Sequence, residues 1–395
     1  MPSREPPRVL HVLHCLNQGG VETWLLHVLR NTPPELWSSE FLLHSAEPGA
    51  YDEEVRALGG VLHYCTGPRR PAHYSRRLRQ ILRGCGPYDV VHSHVHLYSG
   101  IVLRAAHQEH VPLRIAHSHY AGSEIGSARH FYASLMRGAI RAHATHGLAA
   151  APHAAAALFG ANWRESGRVR IHECGLDYSA FGRLPARALL KQQLGLPAGR
   201  IVIGHVGRFV PEKNHAFVVA TFLEMLRAGV DAHLLLVGTG PLESRVREQV
   251  ESLGIARRCS MVGSHNDVAR FFGAMDMLLF PSLSEGLGVV VLEAQAAALP
   301  VLASAAVTTE VCIVPGLVRF RSLADGATAW AGAACDILAS APSMSRVLTA
   351  HALNASRYGV AHSVRALAEL YGTAASHASR PTHPVLTSTP AGIVS

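Results

Sequence analysis

The sequence predicts an α/β protein with two doubly wound parallel sheets, and three observations carry that prediction. Strand-like apolar runs alternate with amphipathic stretches of helix length along most of the chain. The alternation is interrupted by a Pro- and Gly-containing segment that ends near Arg200, after which it starts afresh. The length, 395 residues, is that of two or so domains, each with its own core. Two Rossmann-like units facing each other across a cleft are the simplest account, and ligands in such sheets bind at the carboxyl ends of the strands.

In the first half, strands are expected at 8–12, 40–43, 61–64, 90–93, 113–117 and 147–150, with helices such as 21–30 and 99–107 between them. A short strand at 168–171 and a loop at 173–181 close this series. The second series reads strand 201–206, helix 215–228, strand 233–237, helix 242–253, strand 260–262, helix 267–274, strand 277–280, helix 289–298 and strand 301–303. The first domain is placed at 1–180 and the second at 181–375, with its last helix packing back on the first. The Ser-, Thr- and Pro-rich segment 376–395 is expected to be a disordered tail.

Composition narrows the function classes. Apolar residues make up 48% and charged residues 16%, too apolar a balance for a disordered chain. Lys plus Arg minus Asp plus Glu, 36 minus 28, leaves +8 with all 26 His neutral, an excess that suits an anionic partner. Residues 1–7 carry Arg4, Glu5 and three prolines and lack the apolar centre of a signal peptide. The most apolar long stretch, 287–307, is broken by Glu293, Gln295 and Pro300, so no membrane span is expected. The expected location is the cytoplasm. Seven Cys without a C-x-x-C pair read as reduced thiols.

Three clusters carry chemistry. Glu285-Gly-Leu-Gly-Val-Val-Val-Leu-Glu293 sets two carboxylates eight residues apart behind a predicted strand. If residues 286–288 turn into a helix, the free amides and the dipole there suit a phosphate, while Glu285 and Glu293 share a face. Gly207-Arg208-Phe-Val-Pro-Glu-Lys213-Asn214 follows another strand, and its forked and point cations can neutralise a diphosphate whose charge grows as it departs. Gly19 and Gly20, between the first strand and first helix, permit close backbone approach to a ligand. A dinucleotide fingerprint is missing, since Gly238-Thr-Gly240-Pro-Leu-Glu243 lacks the third Gly, and there is no Walker-type loop.

In this order, Gly19-Gly20, Gly207-Arg208 with Glu212-Lys213-Asn214, Gly238-Thr-Gly240-Pro-Leu and Glu285 through Glu293 resemble the retaining glycosyltransferases of the GT-B family that contains sucrose synthases and bacterial mannosyltransferases, glycosyltransferase family 4. The resemblance covers about residues 8–372. His11-Val-Leu-His, Ile115-Ala-His-Ser-His119 and Pro281-Ser-Leu-Ser-Glu-Gly with Glu293-Ala-Gln look most similar to the branch that builds bacterial exopolysaccharide and capsule. It implies a GT-B fold and a transfer that needs neither cofactor nor metal. The implied donor is a nucleotide-diphosphate sugar, a UDP-sugar first and GDP-mannose next. A hexose or N-acetylhexosamine would pass to a lipid-linked or glycan acceptor in exopolysaccharide, capsule or lipopolysaccharide biosynthesis.

Roles follow residue by residue. Arg208 and Lys213 match the family's diphosphate binders, Glu293 the carboxylate that receives the ribose hydroxyls, and the amides of Leu287 and Gly288 a phosphate contact. Glu285 matches the residue beside the donor sugar, and His119 the imidazole near the sugar's 6-position. His117, two residues away, lies on the same strand face and stays an alternative. Two departures touch the interdomain and acceptor regions: Glu173-Cys174-Gly175-Leu176-Asp177 replaces the usual Asn-Gly-Ile-Asp turn, and no Gly pair precedes Glu310. Competing readings are a nucleotide-sugar epimerase on the same fold and a non-catalytic nucleotide-sugar-binding subunit of a polysaccharide assembly complex.

His92, His94 and His96 alternate on one face, a pattern a chain with 26 His produces by chance, so no metal site is expected. The basic excess gathers in Arg69, Arg70, Arg76, Arg77, Arg79 and Arg83, where Leu78, Ile81 and Leu82 have helical spacing, and again in residues 129–141. Such segments suit an anionic membrane surface at the inner face of the cell membrane, or a solvated helix packed by its apolar stripe. Nucleic acid is not expected as a partner, for want of a binding motif.

Overall fold

The computed structural model describes residues 5–67, 70–119, 127–340 and 342–377. The first half runs β1 (Arg8–Leu13), α1 (Gly20–Arg30), β2 (Ser38–Leu43), α2 (Asp52–Ala57), β3 (Val61–Tyr64), α3 (Pro71–Cys85), β4 (Val90–Ser93), α4 (Ser99–Gln108), β5 (Leu113–Ser118), α5 (Ser127–His143), β6 (His146–Ala149), α6 (Pro152–Phe159) and β7 (Val169–Ile171). The second runs α7 (Ser179–Gly182), α8 (Arg187–Gln193), β8 (Ile201–Val206), α9 (His215–Arg227), β9 (Ala232–Val237), α10 (Glu243–Ser252), β10 (Cys259–Met261), α11 (Val268–Ala274), β11 (Met277–Phe280), α12 (Val289–Ala296), β12 (Val301–Ser304), β13 (Val318–Arg321), α13 (Gly326–Ser340), α14 (Arg346–Ala355) and α15 (Val360–His377).

Two sheets result, ordered β3-β2-β1-β4-β5-β6-β7 and β10-β9-β8-β11-β12-β13, with every pairing parallel. Their strands are buried on both faces and so read as nearly continuous apolar runs; Ala232–Val237 is buried at all six positions. In each sheet the order reverses beside the first strand, between β1 and β4 and between β8 and β11. Crevices open at such reversals, at the carboxyl ends of the strands. The expected ligand loops 207–214 and 281–288 follow β8 and β11, and the Gly19-Gly20 turn follows β1.

Some elements differ from the expectation. The loop and linker read between residues 173 and 200 hold two short helices, α7 and α8. After β12 the chain adds an edge strand and three helices. α12 carries no apolar stripe, because Val291, Leu292, Ala294, Gln295 and Ala296 are buried around it. The helical segment that opens at Val360 runs to His377, two residues into the expected tail, and residues 378–395 lie outside the described residues.

α15 packs on α1 and β5 of the first half. There Trp24 Nε1 donates to Ser363 Oγ at 3.0 Å, and the Tyr371 hydroxyl meets His92 Nδ1 at 2.7 Å. A second junction is backbone. Leu176 N–H donates to the Tyr358 carbonyl at 2.9 Å, and Val360 N–H to the Leu176 carbonyl at 2.8 Å. A side chain on Gly175 would stand 2.3 Å from the Gly359 carbonyl oxygen, so the 173–177 turn needs glycine there. The departure from Asn-Gly-Ile-Asp therefore keeps the one residue this crossing depends on.

Candidate functional site

The loops after β8 and β11 are locked together before any ligand enters. Leu283 N–H donates to the Glu212 carbonyl at 2.7 Å, Asn214 Nδ2 to the Pro281 carbonyl at 3.2 Å, and Ser304 Oγ to the Ser282 carbonyl at 2.5 Å. Within this frame Lys213 Nζ donates to Glu285 Oε1 at 2.5 Å, joining residues 72 apart in the chain. The lysine stem lies across Gly207, whose added Cβ would come within 3.3 Å of it, and its ammonium sits 5.1 Å from the Phe280 ring centre. Gly288 precedes α12 at φ +80°, with room for a Cβ denied by Val307 at 3.0 Å, and no side chain caps the first turn of α12.

Glu293 lies on α12, half-buried, and no group among the described residues hydrogen-bonds to its carboxylate. Burial pushes its carboxyl up to about 7. Its charge reaches Tyr51 of the first half and Tyr178 of the connecting segment. α12 itself is pinned by Gln295, which donates to the Val291 and Val311 carbonyls and accepts from the Ile313 and Val314 amides.

Across the cleft, Gly19 and Gly20 open α1. A side chain on Gly19 would come 2.3 Å from Glu22 Oε2, because the Glu22 carboxylate folds back over its own helix N-terminus. Burial raises the pKa of Glu22, against a hydrogen bond from its own backbone N–H and the charge of Arg208. Arg208 is exposed and makes no ion-pair contact among the described residues, so its guanidinium is free for another anion. Gln18, before the glycine pair, bonds to Ser264 and Asn266 of the second half. The Gly19-Gly20 turn and Arg208 thus line opposite walls, and Lys213, Glu285, Gly288 and Glu293 line one.

His119 and His117 separate here. The His117 side chain is fully buried, whereas His119 is partly exposed and its carbonyl oxygen lies 3.5 Å from the Cβ position of Gly286. Both rings nonetheless belong to an inner cluster: His119 Nε2 meets His94 Nδ1 at 2.9 Å, and His119 Nδ1 meets Cys174 Sγ at 3.6 Å. His92 and His94 join it, while His96 turns away at φ +48°. The alternation thus gathers His92 and His94 with His11, His117 and His119 in one cluster, a convergence that reading the sequence alone puts down to chance. Sequence reasoning also missed Glu22 and Tyr51, for which the only signal was the position of Glu22 one helical turn after the glycine pair.

The two basic segments differ. In α3 the stripe is Tyr74, Leu78 and Leu82, all buried in the core, and Arg79 and Arg83 both bind Glu109, at 2.5 and 2.6 Å. Arg76 and Arg77 remain exposed; Arg69 lies outside the described residues. In α5, Phe131 is 78% and Leu135 56% exposed. No helix among the described residues is long and apolar enough to cross a membrane.

Residues 186–328 match the family model of glycosyl transferases group 1. EpsF of Bacillus subtilis, named as a glycosyltransferase, is 34% identical over 329 residues, 82% of this chain and 86% of EpsF. A D-inositol 3-phosphate glycosyltransferase of Mycolicibacterium vanbaalenii is 29% identical over 75% of this chain and 69% of its own length. Among solved structures, Anabaena Alr3699/HepE in complex with UDP superposes with a TM-score of 0.73 at 17% identity, covering 93% of this chain and all of that one. The sucrose-phosphate synthase of Thermosynechococcus elongatus does so at 0.72 and 18%, covering 94% and 100%.

Proposed function

This chain belongs to the group 1 glycosyltransferases and has the GT-B fold, and on that footing we propose that it transfers a hexose or N-acetylhexosamine, with retention, from a nucleotide-diphosphate sugar. A UDP-sugar is the first candidate donor and GDP-mannose the next; the structural neighbour Alr3699/HepE was solved with UDP. The acceptor is a lipid-linked or other glycan in exopolysaccharide, capsule or lipopolysaccharide assembly. The work would be done in the cytoplasm, with the first domain resting on an anionic membrane face through exposed arginines and α5. Nucleic acid plays no part in this reading.

The observation that carries the proposal is the Lys213–Glu285 pair, 2.5 Å apart at the crevice of the second sheet. Donor binding would replace that contact. The diphosphate takes the Lys213 ammonium and the Arg208 fork, with the amides of Leu287 and Gly288 on its oxygens and the Gly19-Gly20 turn closing from the other wall. Glu293 accepts the ribose hydroxyls. Glu285, released from the lysine, holds hydroxyls of the sugar, and His119 stands beside its far end. Two fixed cations stabilise the charge that develops on the leaving diphosphate, so no metal is required for the transfer itself. The diphosphate oxygen helps deprotonate the acceptor on the same face, and the positively charged sugar carbon collapses with retention. Closure of the cleft excludes water as a rival acceptor.

Calorimetry with UDP, GDP and ADP sugars, followed by NMR of the product with a lipid-linked acceptor, tests this reading. Binding of one donor and a product of unchanged anomeric configuration are expected. Donor isomerised without acceptor, or bound without any turnover, would overturn it.

A further inference from the structure

Five imidazoles, His11, His92, His94, His117 and His119, converge inside the first domain at the carboxyl ends of its strands, and the proposed transfer places one of them beside the sugar. Strand register brings them together. His11 pairs with His92 across β1 and β4, and Ser93 pairs with Ala116 across β4 and β5, which sets His94 beside His117 one step on. Among the described residues two overlapping triads, His11 with His92 and His94, and His94 with His117 and His119, each bring one nitrogen per ring within 4.8 Å of the others.

The second triad is the better prepared. His94 Nδ1 and His119 Nε2 lie 2.9 Å apart, near the ~3.3 Å between two nitrogens bound tetrahedrally to one ion at about 2.0–2.1 Å. The remaining nitrogen of each ring already has an outer partner. His94 Nε2 meets His11 Nδ1 at 3.2 Å, His119 Nδ1 meets Cys174 Sγ at 3.6 Å, and His117 Nδ1 meets His92 Nε2 at 3.1 Å. His92 passes the chain on to the Tyr371 hydroxyl at 2.7 Å. Metal-ligating histidines are held in this way, each donating its second N–H outward, and one set of tautomers satisfies every contact above. One atom is then left over: His117 Nε2, on a fully buried side chain, has no hydrogen-bond partner among the described residues. As part of a hydrogen-bonded core that orphan is a cost; as a ligand it is a lone pair open to an ion.

We propose that His94, His117 and His119 form a binding site for one divalent transition-metal ion of the zinc class. Imidazole nitrogens suit zinc, nickel and copper and exclude magnesium and calcium. The ion is structural: it ties β4 to β5 and fixes the backbone at His119, whose carbonyl oxygen lies 3.5 Å from the Cβ position of Gly286; with the ion on Nε2 and Cys174 on Nδ1, both ring nitrogens of His119 are engaged, so that ring stands by the sugar without a nitrogen to bond it. The inference stands on the cluster alone and survives if the donor assignment fails.

The test uses the full chain, stripped with a chelator and titrated with zinc chloride alone by calorimetry, then with cobalt chloride followed by visible absorption. One zinc per chain, a raised melting temperature and a tetrahedral cobalt spectrum are expected, with magnesium unable to compete. His94→Asn and His117→Asn should each weaken zinc by at least about tenfold, since losing even an outer partner of a ligand costs 10–100-fold. His351→Ala, an exposed histidine on α14, should change nothing. Zinc bound equally well by His117→Asn, no stoichiometric binding, or an octahedral cobalt spectrum would overturn the site. The cobalt spectrum of the unaltered protein decides the matter even if a variant fails to fold.

Discussion

Lys213 and Glu285 hold each other in a geometry that suits neither role until a donor arrives. Their ion pair is partly buried, at 20% and 9% side-chain exposure, so each keeps the other from being an unpaired charge in the crevice. Removing the lysine takes away a cation aimed at the leaving group and should lower kcat/KM for transfer roughly 10²–10³-fold, the usual loss for one such group. Steady-state kinetics of Lys213→Ala check this, and unchanged transfer would remove Lys213 from the site. Glu293 gives a pH signature. Its carboxyl, pushed by burial to about 7 from an unfolded value of 4.5, binds a proton more tightly when folded. The stability this contributes is complete below pH 4.5 and is lost as pH rises through 7. Glu293→Gln should therefore melt at a higher temperature than the parent chain above pH 7 and at a similar one near pH 4. Donor affinity runs the other way, because only the ionised carboxylate accepts both ribose hydroxyls. Binding of a UDP-sugar, whose diphosphate has no group titrating near neutrality, should tighten up to ~10-fold per pH unit until about pH 7 and then level off. Calorimetry across that range should show a flat profile in Glu293→Gln.

At the scale of elements, the turn after β9 shows how tightly the donor loops are built. Gly238 sits at φ +136°, and a Cβ there would stand 2.1 Å from the Gly207 carbonyl oxygen, on the loop that carries Arg208. Gly238→Ala combines a strained backbone with a backbone clash and should cost roughly 3 kcal/mol or more. Gly332→Ala on α13, with open space around its Cβ, should instead be neutral or stabilise by about 0.5–1 kcal/mol. Scanning calorimetry of the two separates a required glycine from an incidental one. The sequence could point to 238–240 as a glycine loop behind a strand, yet not to the neighbour that demands it, because that neighbour lies 31 residues away in the chain. The same holds for the histidines. Period-2 spacing put His92 with His94 and His117 with His119 on shared faces, but their convergence needs the order β1-β4-β5, which no local pattern encodes. Alternating apolar runs and the glycines behind them were legible, since they depend on near neighbours. Sheet order, the α12 anchor Gln295 and the Glu22 fold-back were not, since each depends on chain that returns from elsewhere.

The whole molecule distributes its excess of eight positive charges unevenly, and that distribution decides how it would meet a membrane. α3, α4 and α5 pack side by side on one face of the first sheet. A helix lying in a bilayer surface needs an apolar face to offer; α3 has spent its own on Tyr74, Leu78 and Leu82 in the core, and two of its arginines on Glu109. What α3 still presents is charge, at Arg76 and Arg77. The apolar contribution must come from α5, where Phe131 and Leu135, one turn apart, stand exposed. α3 offers charge alone; α5, which also carries the exposed Arg141, supplies the apolar part of the layer. Vesicle co-sedimentation at low salt should therefore depend on both in different ways. Neutralising Arg76 and Arg77 together should weaken binding to anionic vesicles by roughly 2 kcal/mol, about thirtyfold, and leave neutral vesicles unaffected. Phe131→Ser with Leu135→Ser should weaken anionic binding by about tenfold or more and make what remains more sensitive to salt, because only the screened electrostatic part survives. Binding unchanged in both double variants would place the acceptor's lipid end, and the membrane face, elsewhere on the first domain.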